Sequence, residues 1–372
     1  MRGWILALAL CGCGLQKLSS YRFEGKVPDD SSGFSNALYQ AAGVKLAGGN
    51  RVEEANNGEF FDLLVKDIET AKRSIDIVVF IWKPGAPSDR LAPAVAARAK
   101  EGVECRILVD AMGSPGFPEE IQPGLEQAGC KVHLARDELT LSRNHRKIFI
   151  IDGRVGYTGG VGIGNEWLEW RDSNVRITGP AVEQLERAFA ENWIDETGTL
   201  VPASHFAEVE RQGDMQAAFV SSAKAGKITQ AERLTHLAIA AAQKRLWVGN
   251  AYFVPSPGLL ELIEEKARSG VDVRFIVPGK GTDHPEVRFM QQRYYQALLG
   301  AGVQVYEYQP AMYHSKVMII DDHIAMVGSI NLDKLSQDLL DEGTLVVFDG
   351  AFTKQLEKTW LADETNCVAV QP

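Results

Sequence analysis

The chain contains no run of eighteen apolar residues, so no stretch of it reads as an ordinary bilayer-spanning helix. It also has no basic run: 39 Lys and Arg stand against 49 Asp and Glu, a formal net charge of −10. That balance argues against a protein whose main partner is a polyanion, because phosphate backbones are held by clustered Lys and Arg. Cysteine is sparse. Of the five, Cys11, Cys13, Cys105, Cys130 and Cys367, the last three lack CxxC or Cys/His spacing and suggest no zinc site. Cys105 and Cys130 fall in apolar, strand-like stretches and read as small core residues. What is present is ample for globular cores: 372 residues, 45% of them hydrophobic, enough for two domains or one large duplicated unit.

The first residues, MRGWILALALCGCG, join one Arg to a short apolar segment and then to small residues and two cysteines, a pattern that reads as a signal segment. Leu10-Cys11-Gly12-Cys13 resembles a bacterial lipobox, with Cys13 as the acceptor for lipid. The polar stretch after it reads as a tether, and residues 1–35 are set outside the expected fold.

From Glu59 onward the pattern alternates. Apolar residues at helical spacing (Phe60, Phe61, Leu64, Ile68) precede the β-branched run SIDIVVFIW, and helix and strand signals then alternate through CKVHLA. The second half repeats the order from ERLTHLAIAAAQ to VQVYEY, which means an α/β architecture. Three blocks align in register at nearly one offset: Val103 with Val271, Gly129 with Gly302 and His145 with His314. Generic patterning would explain alternating elements but not three aligned blocks, so the chain reads as an internal duplication with repeats at 36–205 and 206–372.

The same short device recurs in each repeat. NHRKIFIIDG carries His145, Lys147 and Asp152, and YHSKVMIIDD carries His314, Lys316 and Asp321. The apolar run Ile148–Ile151 is the signature of a strand buried on both faces, and alternation puts His145 and Lys147 on one side of it, lining a cleft. Two such halves about a pseudo-twofold axis would join two imidazoles and two ammonium groups. That set suits a phosphodiester. One His attacks phosphorus, the other protonates the leaving alkoxide, and the lysines stabilise the non-bridging oxygens, with no metal or cofactor required. The other histidines, His133, His205, His236, His284 and His323, read as surface or satisfied core residues.

On these residues the sequence resembles the phospholipase D superfamily, whose duplicated His-x-Lys-x4-Asp motif is followed by Gly-Gly or Gly-Ser and often Asn. Here the copies continue to Gly159-Gly160 and to Gly328-Ser329 with Asn331. Stretches such as GNEWLEWRDSNVRITGPAV, AYFVP and GVDVRFIVPGKGTD narrow the resemblance to the bacterial cardiolipin synthase-like branch, from about Asn57 to Trp360. The resemblance implies two similar α/β repeats, mixed sheets flanked by helices, with the active site at their interface. It implies His145 as nucleophile, His314 as acid/base, and Lys147 and Lys316 on phosphate, with Asp152 and Asp321 supporting the catalytic set from behind. Asn331, Ser329 and Gly160 fall at substrate-binding positions, and Glu166 and Glu342 at acidic positions that orient the histidines. Three residues depart from the branch. Gly162 stands where Asn is usual, unless Asn165 or a backbone amide substitutes, and Leu335 and Leu340 replace the usual Arg and Asn.

The leading expectation is a membrane-associated phosphatidyltransferase in the bacterial cell envelope. It would act at the bilayer surface on phospholipids, phosphatidylglycerol first among them, through a phospho-histidine. A phospholipase D that lets water resolve the intermediate keeps the same catalyst. A nuclease fits poorly with the acidic balance, so no nucleic-acid partner is expected. A noncatalytic lipid-binding protein fits poorly with two intact motifs. Tyr252, Trp167, Trp170 and Tyr313, near the motifs, are expected to serve ordinary core packing.

Overall fold

The computed structural model describes residues 21–135, 143–206, 209–223 and 228–372. The proposed lipid acceptor Cys13 lies outside them. In the first repeat the strands are β1 (Ala47–Glu54), β2 (Ser74–Val79), β3 (Glu104–Asp110), β4 (Lys131–Ala135), β5 (Ile148–Ile151), β6 (Val155–Gly159) and β7 (Asn174–Thr178). In the second they are β8 (Met215–Ser222), β9 (Arg245–Asn250), β10 (Phe253–Val254), β11 (Asp272–Pro278), β12 (Gln304–Tyr308), β13 (Lys316–Ile320), β14 (Ile324–Gly328), β15 (Leu332–Asp333), β16 (Glu342–Phe348) and β17 (Cys367–Ala369).

Two sheets were to be expected; the two repeats instead share one. Fifteen strands run in the order β17-β12-β11-β9-β13-β14-β16-β8-β1-β7-β6-β5-β2-β3-β4, and β10 pairs with β15 apart from them. Read outward from the centre, each repeat has the same order, and the repeats join edge to edge where β1 and β8 pair antiparallel. This junction covers two strand edges that would otherwise expose unpaired amides and carbonyls. Within a repeat, β2, β3 and β4 are parallel, while β5 returns antiparallel beside β2, so the sheet is mixed.

Helices cover both faces. On one face, helices Glu59–Glu69 and Ala86–Lys100 close the first repeat's core with Ile75, Ile77 and Val79, and helices Gln230–Ala241 and Pro257–Arg268 close the second's. On the other, helices Val182–Thr197 and Gly350–Glu364 enclose a core drawn from both repeats, including Phe189, Trp193, Tyr313 and Trp360. A shared core fixes the repeats relative to one another, which a site between them requires.

Two expectations are corrected here. The stretch after residue 20 is not a bare tether: Asp30 caps helix Ser31–Ala42 by accepting from the Gly33 amide, and Phe34 and Leu38, one helical turn apart, are buried in the second repeat's core with Val27. Burial of those apolar side chains gives the segment a reason to fold that its Ser- and Asp-rich composition conceals. Cys105 and Cys130 are buried as read, but they form a disulfide across 25 residues, because adjacent parallel strands bring their Cα atoms to 4.6 Å.

Candidate active site

Each motif begins at the edge of its own repeat and pairs with the other. The His145 amide donates to the Asp341 carbonyl at 2.9 Å, and the Asp341 amide to Arg143 at 2.9 Å. Reciprocally, the His314 amide donates to Arg171 at 2.7 Å and the Arg171 amide to Met312 at 2.9 Å. The side chains follow the same exchange. His145 Nδ1 lies 2.9 and 3.0 Å from the two carboxylate oxygens of Glu342, and His314 Nδ1 lies 2.8 Å from Asp172 Oδ2. Both carboxylates are wholly buried. Each histidine is therefore oriented by an acid of the opposite repeat, and neither repeat holds a complete half-site by itself.

With Nδ1–H donated to a carboxylate, the other ring nitrogen, Nε2, carries its lone pair as base or nucleophile, with Lys316 Nζ 3.1 Å from His314 Nε2. Burial pushes His145 down to about 4, against the opposing pull of Glu342, with Lys147 and Lys316 adding to the depression. Burial and Lys316 also lower His314. Asp172 is held below the usual carboxylate range: burial opposes this, but His314, Lys316 and the Trp167 indole outweigh it. At neutral pH both imidazoles are thus neutral.

The lysines sit beside their own histidines. Lys147 Nζ donates to the His145 carbonyl at 2.6 Å and Lys316 Nζ to the His314 carbonyl at 2.5 Å. Burial lowers Lys147 to about 7 and Lys316 to about 8, the mark of ammonium groups kept out of water. An anionic phosphodiester would restore their charge. Arg146, between His145 and Lys147, points the other way and ties the halves together through the carbonyls of Ser222 and Glu342, at 2.9 and 3.2 Å.

The motif aspartates do different work. A strand rises roughly 3.3 Å per residue, so Asp152 and Asp321 stand at the far end from the cleft. Asp152 accepts from the amides of Lys72, Arg73 and Ser74 at 3.0, 2.7 and 3.0 Å. Asp321 accepts from Gln243, Lys244 and Arg245 at 3.1, 2.7 and 3.0 Å. Both take the left-handed conformation in their hairpins, φ 56° and 50°, which Asp tolerates better than most residues. They position the His-Lys strand against β2 and β9 and touch no reacting atom.

Other sequence-based assignments change as well. Glu166 does not orient His314: it opens a short helical turn and pairs with Lys83 at 2.6 Å, while the next residue, Trp167, points inward. The carboxylate on His314 is Asp172, which the sequence reading missed although it precedes Glu342 by almost the same interval that separates His145 from His314. The Asn165 side-chain oxygen accepts from the Ala86 amide at 2.9 Å, which ties that residue to the start of helix Ala86–Lys100. The Gly160 amide is engaged by the Ser173 carbonyl at 3.3 Å, so it is not free for substrate. Ser329 donates to Glu342 and so holds the carboxylate, as does Ser336 at 2.5 Å. Asn331 stays a candidate substrate ligand: it is buried, and its side-chain oxygen has no hydrogen-bond partner.

Gly162 also acquires a reason. A Cβ there would meet the Trp167 ring at 2.5 Å, and Trp167 Nε1 donates to Asp172 Oδ2 at 2.9 Å. Trp167 and Ser336 occupy matching positions in the two repeats, spaced as the motif histidines are. The first repeat thus replaces a serine hydroxyl on a glutamate with an indole N–H on a shorter aspartate, and glycine makes room for the ring. Trp167 and Trp170 flank His314 at 5.5 and 5.3 Å between ring centres, with Tyr252 at 6.2 Å, so these aromatics line the site as well as pack. Tyr313 is core, as read.

Comparison with known proteins agrees with this geometry. Residues 64–193 and 237–363 match the family described as "Cardiolipin synthase, PLD-like domain". Cardiolipin synthase A of Pseudomonas aeruginosa is 32% identical over 352 residues, covering 90% of this chain and 71% of its own length. A cardiolipin synthase of Listeria innocua is 33% identical over 349 residues, covering 89% and 72%. Among solved structures, the phosphatidylserine synthase of Haemophilus influenzae Rd KW20 superposes with a TM-score of 0.68 at 14% identity, covering 90% of this chain and 91% of that one, a likeness of fold. With both repeats matched and two oriented His-Lys pairs in one cleft, the chain belongs to the phospholipase D-like family of the bacterial cardiolipin synthases.

Proposed function

We propose that the protein is a cardiolipin synthase-like phosphatidyltransferase that works through a covalent phospho-histidine. The observation that carries the reading is the reciprocal pair of buried histidine–carboxylate contacts, one from each repeat to the other, with a lysine beside each. His145 Nε2 attacks phosphorus as the bond to the alcohol oxygen breaks. Glu342 stabilises the positive charge that develops on the ring, and His314 supplies the proton to the departing alkoxide. Lys147, Lys316 and the side-chain N–H of Asn331 donate to the non-bridging oxygens. His314 then takes the proton of an incoming hydroxyl, which attacks phosphorus and frees His145. A diester bound between the lysines offsets their charge and raises His314 toward the protonated state that its acid role needs.

Phosphatidylglycerol would serve as phosphatidyl donor and acceptor at a bilayer surface. Among the described residues no helix is long and apolar enough to cross a membrane. Attachment would come from the lipobox-like start, with Cys13 as the lipidated residue. The Cys105–Cys130 disulfide supports an oxidising envelope location.

The test is to incubate the purified enzyme with phosphatidylglycerol vesicles and analyse the lipids by mass spectrometry. Cardiolipin with glycerol supports the transferase, phosphatidic acid makes the enzyme a hydrolase, and unchanged lipid overturns both. A Cys13→Ser variant that still acquires lipid and stays with the membrane overturns the anchor.

A further inference from the structure

The two sides of the cleft differ in a way that the duplication does not require. Beyond β2 the chain runs Phe80-Ile81-Trp82. The Phe80 ring lies 5.3 Å from the His145 ring and faces Lys147 at 5.5 Å, and these three residues bring no hydroxyl or carboxylate to the site. Beyond β9 the equivalent stretch is Ala251-Tyr252-Phe253. The Tyr252 hydroxyl donates to Asp283, 3.0 and 2.9 Å from its two oxygens, and the Tyr252 ring lies against His314. The nearby Asp333 is otherwise engaged, capping helix Lys334–Asp338 through the Ser336 amide at 2.9 Å.

The mechanism makes this asymmetry meaningful, and the inference rests on that proposed reading. In an in-line displacement the leaving and entering alcohols both occupy the apical position opposite the nucleophile. With His145 attacking, that position belongs to His314, on the side of Tyr252 and Asp283. We propose that Tyr252 and Asp283 form the alcohol pocket and select a polyol, a headgroup with a hydroxyl beyond the one bonded to phosphorus. Asp283 accepts the extra hydroxyl, and the Tyr252 oxygen, whose proton is committed to Asp283, accepts another. An aminoalcohol headgroup fits less well. Its ammonium would be drawn to Asp283, but Lys316 Nζ already faces the Tyr252 ring at 5.9 Å and repels a second cation there, whereas a polyol gains Asp283 without that repulsion.

Phosphatidylglycerol and phosphatidylethanol share the diacyl phosphate and differ in the headgroup's extra hydroxyls. The experiment measures kcat/KM for both, and for phosphatidylethanolamine, with the wild type and the Tyr252→Phe and Asp283→Asn variants. The wild type should prefer phosphatidylglycerol to phosphatidylethanol at least tenfold. Each variant should cut that ratio at least fivefold, a site's polar groups being most selective when the missing hydroxyl leaves them unpaired. The ratio cancels any change that Asp283 makes in the charge state of His314. Variants whose ratio stays within twofold of wild type, or a wild type that prefers phosphatidylethanolamine, overturn the pocket. A wild type that turns over none of the three lipids overturns the phosphatidyltransferase reading itself, and the pocket with it.

Discussion

Glu342→Gln isolates the contribution of a carboxylate to the chemistry at His145. Glu342 is fully buried, 2.9 Å from His145 Nδ1, and its remaining acceptor capacity is filled by Ser329 and Ser336. As His145 becomes a phospho-imidazolium its ring gains a full positive charge. At 2.9 Å and an effective dielectric of about 20, a carboxylate offsets that charge by ~6 kcal/mol. A glutamine dipole retains part of this, and its amide must also face two serine hydroxyls that now donate to a carboxylate. A net loss of about 3–5 kcal/mol in the transition state means roughly a 10²–10⁴-fold fall in kcat. Because Glu342 does not reach the substrate, KM should change much less. Glu342 also raises His145, so its loss should move the acid limb, where protonation of that imidazole removes the nucleophile, to still lower pH. The assay is a kcat and KM profile against pH on phosphatidylglycerol vesicles, beside circular dichroism to establish folding. A folded variant with kcat within fivefold of wild type would refute the reasoning, as would a loss confined to KM.

Other consequences follow from the same contacts. Gly162→Ala places a methyl group 2.5 Å from the Trp167 ring, so it should cost about 1–3 kcal/mol in urea unfolding and lower kcat by disturbing the indole–Asp172 bond; an unchanged variant would contradict the packing. Asp152→Ala removes the acceptor for three amides leading into β2 and should destabilise by about 3 kcal/mol, with Asp152→Asn losing less; equal losses would point away from the amide clamp. Since burial holds Lys147 and Lys316 at about 7 and 8, binding of an anion such as tungstate at pH 8 should take up protons, read by calorimetry in buffers of different ionisation heat; zero uptake would contradict that lowering. His236 is buried with neither ring nitrogen hydrogen-bonded and lowered to about 4, below its unfolded value, so the folded state binds fewer protons and loses stability as pH falls from about 6.5 toward 4; His236→Leu should reduce the acid sensitivity by roughly 2–3 kcal/mol between pH 7 and 4.5, and an unaltered slope would be the contrary result.

The parts of this molecule that were legible in its sequence are those written into local periodicity or into the repeat. The run Ile148–Ile151 and its copy are buried strands, and the repeat spacing of the two motifs does describe one site built from two halves. Long-range choices were harder to read. Nothing local distinguishes Asp172 from Glu166 as the partner of His314, because the pairing depends on how one repeat's strand start meets the other's loop; only the offset to Glu342 separates them. Merging of the sheets through β1 and β8 is a matter of edge geometry, and Gly and Asn within β1 hide its strand character. The helix at Ser31–Ala42 was obscured by polar composition, since its order comes from the second repeat's core. The Asp152 and Asp321 roles illustrate a further ambiguity: a motif residue that recurs with the catalytic pair can recur because it positions the pair.

The most direct test of the central claim is capture of the covalent intermediate. Rapidly quenched enzyme, mixed with phosphatidylglycerol and digested under alkaline conditions that preserve phosphoramidates, is examined by mass spectrometry for a phosphatidyl adduct. The prediction is an adduct on His145, absent from His145→Ala and, with an activated ester whose leaving group needs no proton, accumulating in His314→Ala. An adduct on His314 with none on His145, or full turnover by His145→Ala, would contradict it.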